Sequence, residues 1–314
     1  MKRVLCLILI LALLPALGGC GAESARRGSG EMQIVTTVFP ACDFAHVVAG
    51  ERATVTLLVP PGTETHSFEP TAQDLLRIRD CDLFLCTGGE SEAWVEELLA
   101  GLDGEIPTLV MLACVDALEE EEKEGMQELH EDGEEEEGPE YDEHVWTSPV
   151  NAQRIVGAIA ERLGALDPAH AAEYAANAAD YCGKLAALDA QFRAVVADAK
   201  HRTLVFADRF PARYFVEEYG LDYFAAFPGC AEDTEPAAGT VAFLIDRVRE
   251  EKLPAVLYIE FSNEKMADVI CEDTGCRKLL FHSCHNLTPA EFRSGASYLE
   301  LMGKNLDTLR EALG

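Results

Sequence analysis

The chain has 314 residues and a formal net charge of −31, set by 56 acidic against 25 basic side chains. That balance argues against nucleic acid or an anionic membrane surface as a partner, since both repel a strongly acidic protein. Apolar residues make up 48% of the composition, enough to pack one large domain or two smaller ones.

Lys2 and Arg3 precede an apolar run over 4–17, which ends in Leu17-Gly18-Gly19-Cys20. A basic start, a short apolar stretch and small residues before a cut describe a secretory signal. The run falls short of the roughly 20 apolar residues that span a bilayer. Its ending resembles a bacterial lipobox, in which Cys20 becomes the lipid-bearing first residue of the mature chain. The expectation is a signal peptide over 1–19 and a polar tether over 20–31. The protein would then be exported and lipid-anchored to the outer face of the cytoplasmic membrane, or periplasmic.

From residue 32 strand-like and helix-like segments alternate. Strands are predicted over 34–39, 55–59, 83–86 and 108–112, with helices over 43–50, 71–80 and 91–100. Thr71 and Asp74 suit the N-terminal cap of the second helix. An acidic segment over 119–143 then interrupts the pattern. It holds fifteen acidic residues and one lysine, and a block of like charges this dense is expected to be disordered.

A helix over 151–163 follows, and Pro168 opens an alanine-rich helical stretch to about residue 200. The alternation then resumes, with strands over 203–207, 223–227, 255–259 and 278–281 and helices over 211–219, 241–251, 263–272 and 298–313. The expected fold is α/β: two lobes with mostly parallel four-stranded sheets, over 32–165 and 201–314, joined by one long linking helix over 166–200.

Nine cysteines remain once Cys6 and Cys20 are set aside. Cys81 and Cys86, about 16 Å apart if on one strand, are expected as core thiols. Cys230 and Cys284 each follow a strand of the second lobe on one side and are expected to form a disulfide in an oxidising compartment.

The histidines carry the chemistry. His66 follows the second strand and His144 the acidic segment. Asp208 ends the first strand of the second lobe, Glu260 the third, and His282 and His285 the fourth. Ligands of open parallel sheets bind beyond the carboxyl ends of the strands, so these groups face one cleft. Imidazole with carboxylate suits Zn(II), and less exclusively Mn(II). The expected ligands are His66, His144, Asp208 and His285, with His282 as substitute and Glu260 as a supporting partner. His46, His170 and His201 read as surface or cap residues, and His130, in the acidic segment, as solvated.

Three segments carry a resemblance: Pro60 to Asp74, His144-Val145-Trp146-Thr147-Ser148-Pro149, and Tyr298 to Leu306. In them the chain resembles the zinc/manganese solute-binding proteins of ABC importers over nearly its whole mature length. The resemblance implies the metal-type periplasmic binding fold, direct ligation by His66 and His144, and an ABC permease and ATPase as partners of a monomer. Members carry a His or Glu where Asp208 stands, an Asp near His282 and His285, and a histidine-rich insertion where this chain is glutamate-rich. A zinc-dependent hydrolase using the same cleft, with Glu260 as base, is the alternative; a non-metal solute is a third reading.

Overall fold

The computed structural model describes residues 31–102, 104–127, 140–231 and 236–314. The expected signal peptide, Cys20, nearly all of the tether, and His130 with the middle of the acidic segment lie outside the described residues.

Two four-stranded sheets organise residues 32–314. The first comprises β1 (Met32–Thr36), β2 (Ala53–Leu57), β3 (Leu83–Cys86) and β4 (Thr108–Val110) in the order β2-β1-β3-β4. The second comprises β5 (Thr203–Arg209), β6 (Asp222–Phe227), β7 (Ala255–Tyr258) and β8 (Arg277–Leu280) in the order β6-β5-β7-β8. Pairing within both is parallel.

Parallel strands need crossovers, supplied here by helices: α1 (Phe39–Ala49), α2 (Ala72–Asp80) and α3 (Ala93–Gly101) in the first lobe. In the second they are α6 (Arg213–Tyr219), α7 (Ala238–Glu251) and α8 (Lys265–Thr274), followed by α9 (Pro289–Ser294) and α10 (Tyr298–Leu313). The helices cover both faces, so the central strands are apolar on both sides. On β5, Leu204 and Phe206 join the large core shared by the two lobes, while Val205 and Ala207 face α7 and α8. On β1, Ile34 joins the shared core and Val35 packs towards α2 and α3.

Between the sheets run α4 (Pro149–Leu166) and α5 (Ala171–Ala197). The 27 residues of α5 span about 40 Å. Its buried stripe is Tyr174, Ala178, Tyr181, Leu185, Leu188, Phe192 and Val196, spaced three and four apart as one helical face requires. Near its start, Tyr181 donates to Asp43 at 2.9 Å and Asn177 to the Val48 carbonyl at 3.0 Å. Near its end, Asp189 accepts from Tyr219 at 3.1 Å and Arg193 pairs with Glu218. One helix is thus bonded to both lobes.

Three differences from the sequence expectations have local causes. Helix α1 starts at Phe39, four residues early, because Pro40 fits a first helical turn where the apolar run 34–39 reads as strand. Helix α9 was not anticipated, although Thr288 and Glu291 form a capping box with Pro289 at its first turn. The ends of the acidic segment are also folded rather than disordered. Glu119 bridges to Tyr141, Gln127 donates to the Ala226 carbonyl, Met126 is buried, and Lys123 lies 4.2 Å from the Tyr223 ring and pairs with Asp222. Countercharges, a ring face and an apolar anchor offset the repulsion there.

Candidate metal centre

Each histidine reaches the cleft from a loop beyond a strand end, and each loop is fastened. The His66 loop is tied to the loop after β8: Asn286 Nδ2 donates to the carbonyls of Pro60 (2.8 Å) and Thr63 (2.9 Å), and Gly62 N–H to that of Leu287. His144 enters a short 3-10 turn, Val145–Thr147, that leads into α4. There Ser148 Oγ caps the helix, accepting from the N–H groups of Val150 and Asn151. His285 sits in a tight turn where Cys284 is left-handed at φ 62°. Glu260 holds that turn, accepting from Ser283 N–H at 2.8 Å, Ser283 Oγ–H at 2.5 Å and His285 N–H at 3.3 Å.

The three rings converge. Centroids of His66 and His144 lie 5.4 Å apart, His66 and His285 4.7 Å, and His144 and His285 5.0 Å. One nitrogen from each lies within 4.8 Å of the others, and all three residues are buried. Tetrahedral zinc at ordinary Zn–N lengths sets nitrogens about 3.3 Å apart, so the cluster needs only a modest contraction. Trp146 backs it, 5.6 Å from the His144 ring and 4.9 Å from the His285 ring, and its Nε1–H donates to the Ser283 carbonyl at 2.8 Å. That bond joins the His144 turn to the His285 turn.

The electrostatics favour neutral, lone-pair-bearing imidazoles in two of the three. Burial first, then the neighbouring His144 and Arg209, push His66 down to about 3. Burial with His66, His144 and Arg209 takes His285 well below its ordinary value. At His144 burial works downward but is outweighed by Asp142, Glu143 and Glu120, leaving it raised. Asp142 Oδ1 lies 3.3 Å from His144 Nδ1 and accepts the His144 N–H at 2.8 Å, which orients the ring with Nε2 free. Gly229 packs against it: a Cβ there would sit 2.7 Å from the Phe210 carbonyl oxygen and 3.2 Å from the His144 ring.

Other expected residues fall elsewhere. Asp208 is buried but outside the cluster; its Oδ1 accepts from Arg209 N–H at 2.9 Å, and its carboxylate turns towards Ser262 and the Ile259 backbone. A register irregularity between Phe206 and Arg209, with the alternation of a strand, sends Arg209 into the cleft in its place. Arg209 pairs with Glu64 of the first lobe at 2.6 Å. The His282 backbone is held by Asn305 of α10, its N–H donating to Oδ1 at 2.8 Å and its carbonyl accepting from Nδ2 at 2.9 Å, while its ring Nδ1 accepts from Cys284 N–H at 2.9 Å and its Nε2 lies 3.7 Å from Glu291. Cys230 and Cys284 are free thiols, so the expected disulfide is not formed. Cys284 is enclosed in the shared core, whereas Cys230 lies among the carboxylates of Glu143 and Glu120. His170 occupies the N-cap position of α5, its ring 2.6 Å from Asp167 rather than on the helix backbone, and His46 lies in the last turn of α1. Arg209 is the residue that sequence reasoning missed, and its cue was the strand alternation one residue past Asp208.

Three buried imidazoles gathered between two α/β lobes define a metal-binding cleft of the binding-protein class. The chain belongs to the family described as zinc-uptake complex component A, periplasmic, which it matches over residues 34–312. It is similar to the zinc-binding lipoprotein AdcA of Streptococcus pneumoniae (strain TIGR4), 33% identical over 308 residues that cover 96% of this chain and 60% of that protein. It is also similar to the high-affinity zinc uptake system protein ZnuA of Bacillus subtilis, 29% identical with 98% and 97% covered. The chain thus spans about 60% of the AdcA length and nearly all of the Bacillus protein. Among solved structures, the Zn(II)-bound ZnuA-like domain of S. pneumoniae AdcA superposes with a TM-score of 0.75 at 30% identity, covering 90% of this chain and 99% of that one. The family is one of zinc-uptake components rather than enzymes. The hydrolase alternative also lacks its base, since Glu260 is spent on the backbone and hydroxyl of the His285 turn.

Proposed function

We propose that this protein is the extracytoplasmic solute-binding component of a metal ABC importer, which holds Zn(II) on His66, His144 and His285 and delivers it to a permease driven by its ATPase. The observation that carries this reading is the convergence of three buried imidazoles within 4.8 Å. A set rich in nitrogen favours zinc over manganese, which prefers a larger share of oxygen donors. The protein acts as a monomer and is tethered through a lipid on Cys20, the tether being supported by the Leu17-Gly18-Gly19-Cys20 sequence. Among the described residues no helix is long and apolar enough to cross a membrane.

Elemental analysis of purified, metal-reconstituted protein, followed by calorimetric competition between zinc and manganese, tests the reading. A single equivalent of zinc that manganese does not displace is expected. Retention of no metal, or displacement by equimolar manganese, overturns the assignment.

A further inference from the structure

His66 belongs to a second group of ligand atoms. With Glu143 and Cys230 it brings one nitrogen, one carboxylate oxygen and one thiol sulfur within 4.8 Å of one another. The elements that hold Glu143 and Cys230 explain the placement. Ser91 N–H donates to Glu143 Oε1 at 2.9 Å, with Ser91 Oγ–H on the other oxygen, so the carboxylate is fixed. Cys230 follows β6, its N–H donating at 3.1 Å to Glu120 Oε1 from the folded end of the acidic segment.

A buried cysteine usually serves as a small apolar residue. Cys81, Cys86 and Cys284 do so, each lying within one of the apolar cores. Cys230 lies in none of those cores, and its neighbours are carboxylates. A second observation points to a ligand: His66 is 8% exposed, yet its Nδ1 has no hydrogen-bond partner. An unpaired nitrogen this deeply placed costs stability unless something occupies it.

We propose that Cys230 is a metal ligand, supplying a thiolate that with His66 and Glu143 forms a second coordination position for a thiophilic divalent cation, adjoining the three-histidine position through the shared His66. This rests on the reading of the cleft as a metal site. On binding, the Cys230 S–H bond breaks, the sulfur keeps the electron pair and donates it to the cation, and the proton is released to solvent water. The cation's own charge offsets the surrounding carboxylates and stabilises the thiolate. A mixed sulfur, nitrogen and oxygen set accepts Zn(II), Co(II) and Cd(II) and discriminates against Mn(II).

The probe is Co(II) added to the reduced full chain, because a cobalt-bound thiolate gives a near-ultraviolet charge-transfer band while ligand-field bands in the visible report bound cobalt of any ligation. The wild type is expected to show both. Cys230→Ser and Cys230→Ala should lose the charge-transfer band and keep visible bands from the three imidazoles. His144→Ala should keep the charge-transfer band. Zinc added to wild type should bleach it. Visible bands without a charge-transfer band in wild type, or a band that survives in both Cys230 variants, overturn the proposal while leaving the three-histidine site standing. A wild type with neither set of bands overturns both. Circular dichroism of each variant, and the wild-type spectrum itself, keep the result readable should one variant fail to fold.

Discussion

The two lobes meet the cleft on unequal terms. The first brings His66 and His144, with Asp142 and Glu143 directly behind the latter. The second brings His285, and at the end of its central strand β5 it places a cation, Arg209, where a donor atom was expected. The first lobe therefore supplies two imidazoles and negative charge, whereas the second supplies one imidazole and a positive charge neutralised from across the cleft by Glu64 at 2.6 Å. Both lobes contribute to the imidazole cluster and to its charge balance, and substitutions separate these two contributions.

The largest effects should come from the imidazoles. His66→Ala, His144→Ala and His285→Ala are each expected to abolish zinc binding at the three-imidazole position while the chain stays folded, since an ion with few protein donors does not tolerate the loss of one. Asp208→Asn and His282→Ala, which sit outside the cluster, should leave affinity within a few-fold of wild type. Calorimetric titration decides; unchanged affinity in any of the first three, or lost affinity in the last two, redraws the ligand set.

Next comes the interlobe ion pair. Glu64→Gln leaves Arg209 uncompensated beside the site and should weaken zinc binding by about tenfold, since one unit charge near a partly buried ion is worth more than about 1 kcal/mol at an effective dielectric near 20. Arg209→Gln should not weaken it, and the double variant should bind close to wild type. A double variant as weak as Glu64→Gln would show that Arg209 is not the charge that Glu64 offsets.

Much of this was legible in the sequence. The eight strands, the long helix with its three-and-four spacing and the two lobes follow from periodicity, because parallel strands covered on both faces leave short apolar runs bounded by turns. His66, His144 and His285 were legible from their places beyond strand ends. The β5 terminus was not: Asp208 and Arg209 are adjacent, and a local irregularity in register decides which one faces the cleft. The Cys230–Cys284 disulfide failed for a related reason, since two residues beyond strands of one sheet can still point into a core and into a carboxylate cluster. The ordered ends of the acidic segment depend on Tyr223, Asp222 and Arg213, whose proximity only the folded chain creates.

A smaller effect concerns the carboxylate behind the first lobe's strand ends. Glu92 accepts from the N–H groups of Thr87 (2.7 Å) and Gly88 (2.9 Å), and burial, aided by Glu143, pushes it up to about 7 despite those bonds. A carboxyl whose folded pKa exceeds its unfolded value takes up a proton on folding. It costs nothing below about pH 4.5, and the cost grows as the pH rises to about 7 and is constant above. Glu92→Gln keeps an acceptor oxygen and cannot ionise. Melting temperatures of the two proteins should therefore diverge between pH 4.5 and 7, with the wild type losing ground. Parallel curves across that window would mean that Glu92 titrates normally.

The smallest equilibrium effect should come from the acidic segment, and here the comparison between the lobes becomes sharper. Glu120 and Glu143 hold Cys230 and Ser91, and Lys123 and Met126 dock on the second lobe, so both ends of the segment belong to the architecture of the site. Residues 128–139, which lie outside the described residues, carry seven of the segment's fifteen acidic side chains. Like charges at this density raise the local concentration of divalent cations but discriminate poorly among them, and salt screens their reach to about 8–10 Å. Replacing 128–139 by a short glycine-serine linker should leave zinc affinity unchanged within a factor of about two. It should slow association at low ionic strength, and the difference should vanish as salt is added. Stopped-flow association rates measured across a salt series provide the test. An affinity that collapses on deletion would place a ligand in this stretch, with His130 the first residue to examine; a rate unaffected at low salt would leave the charge without a part in capture.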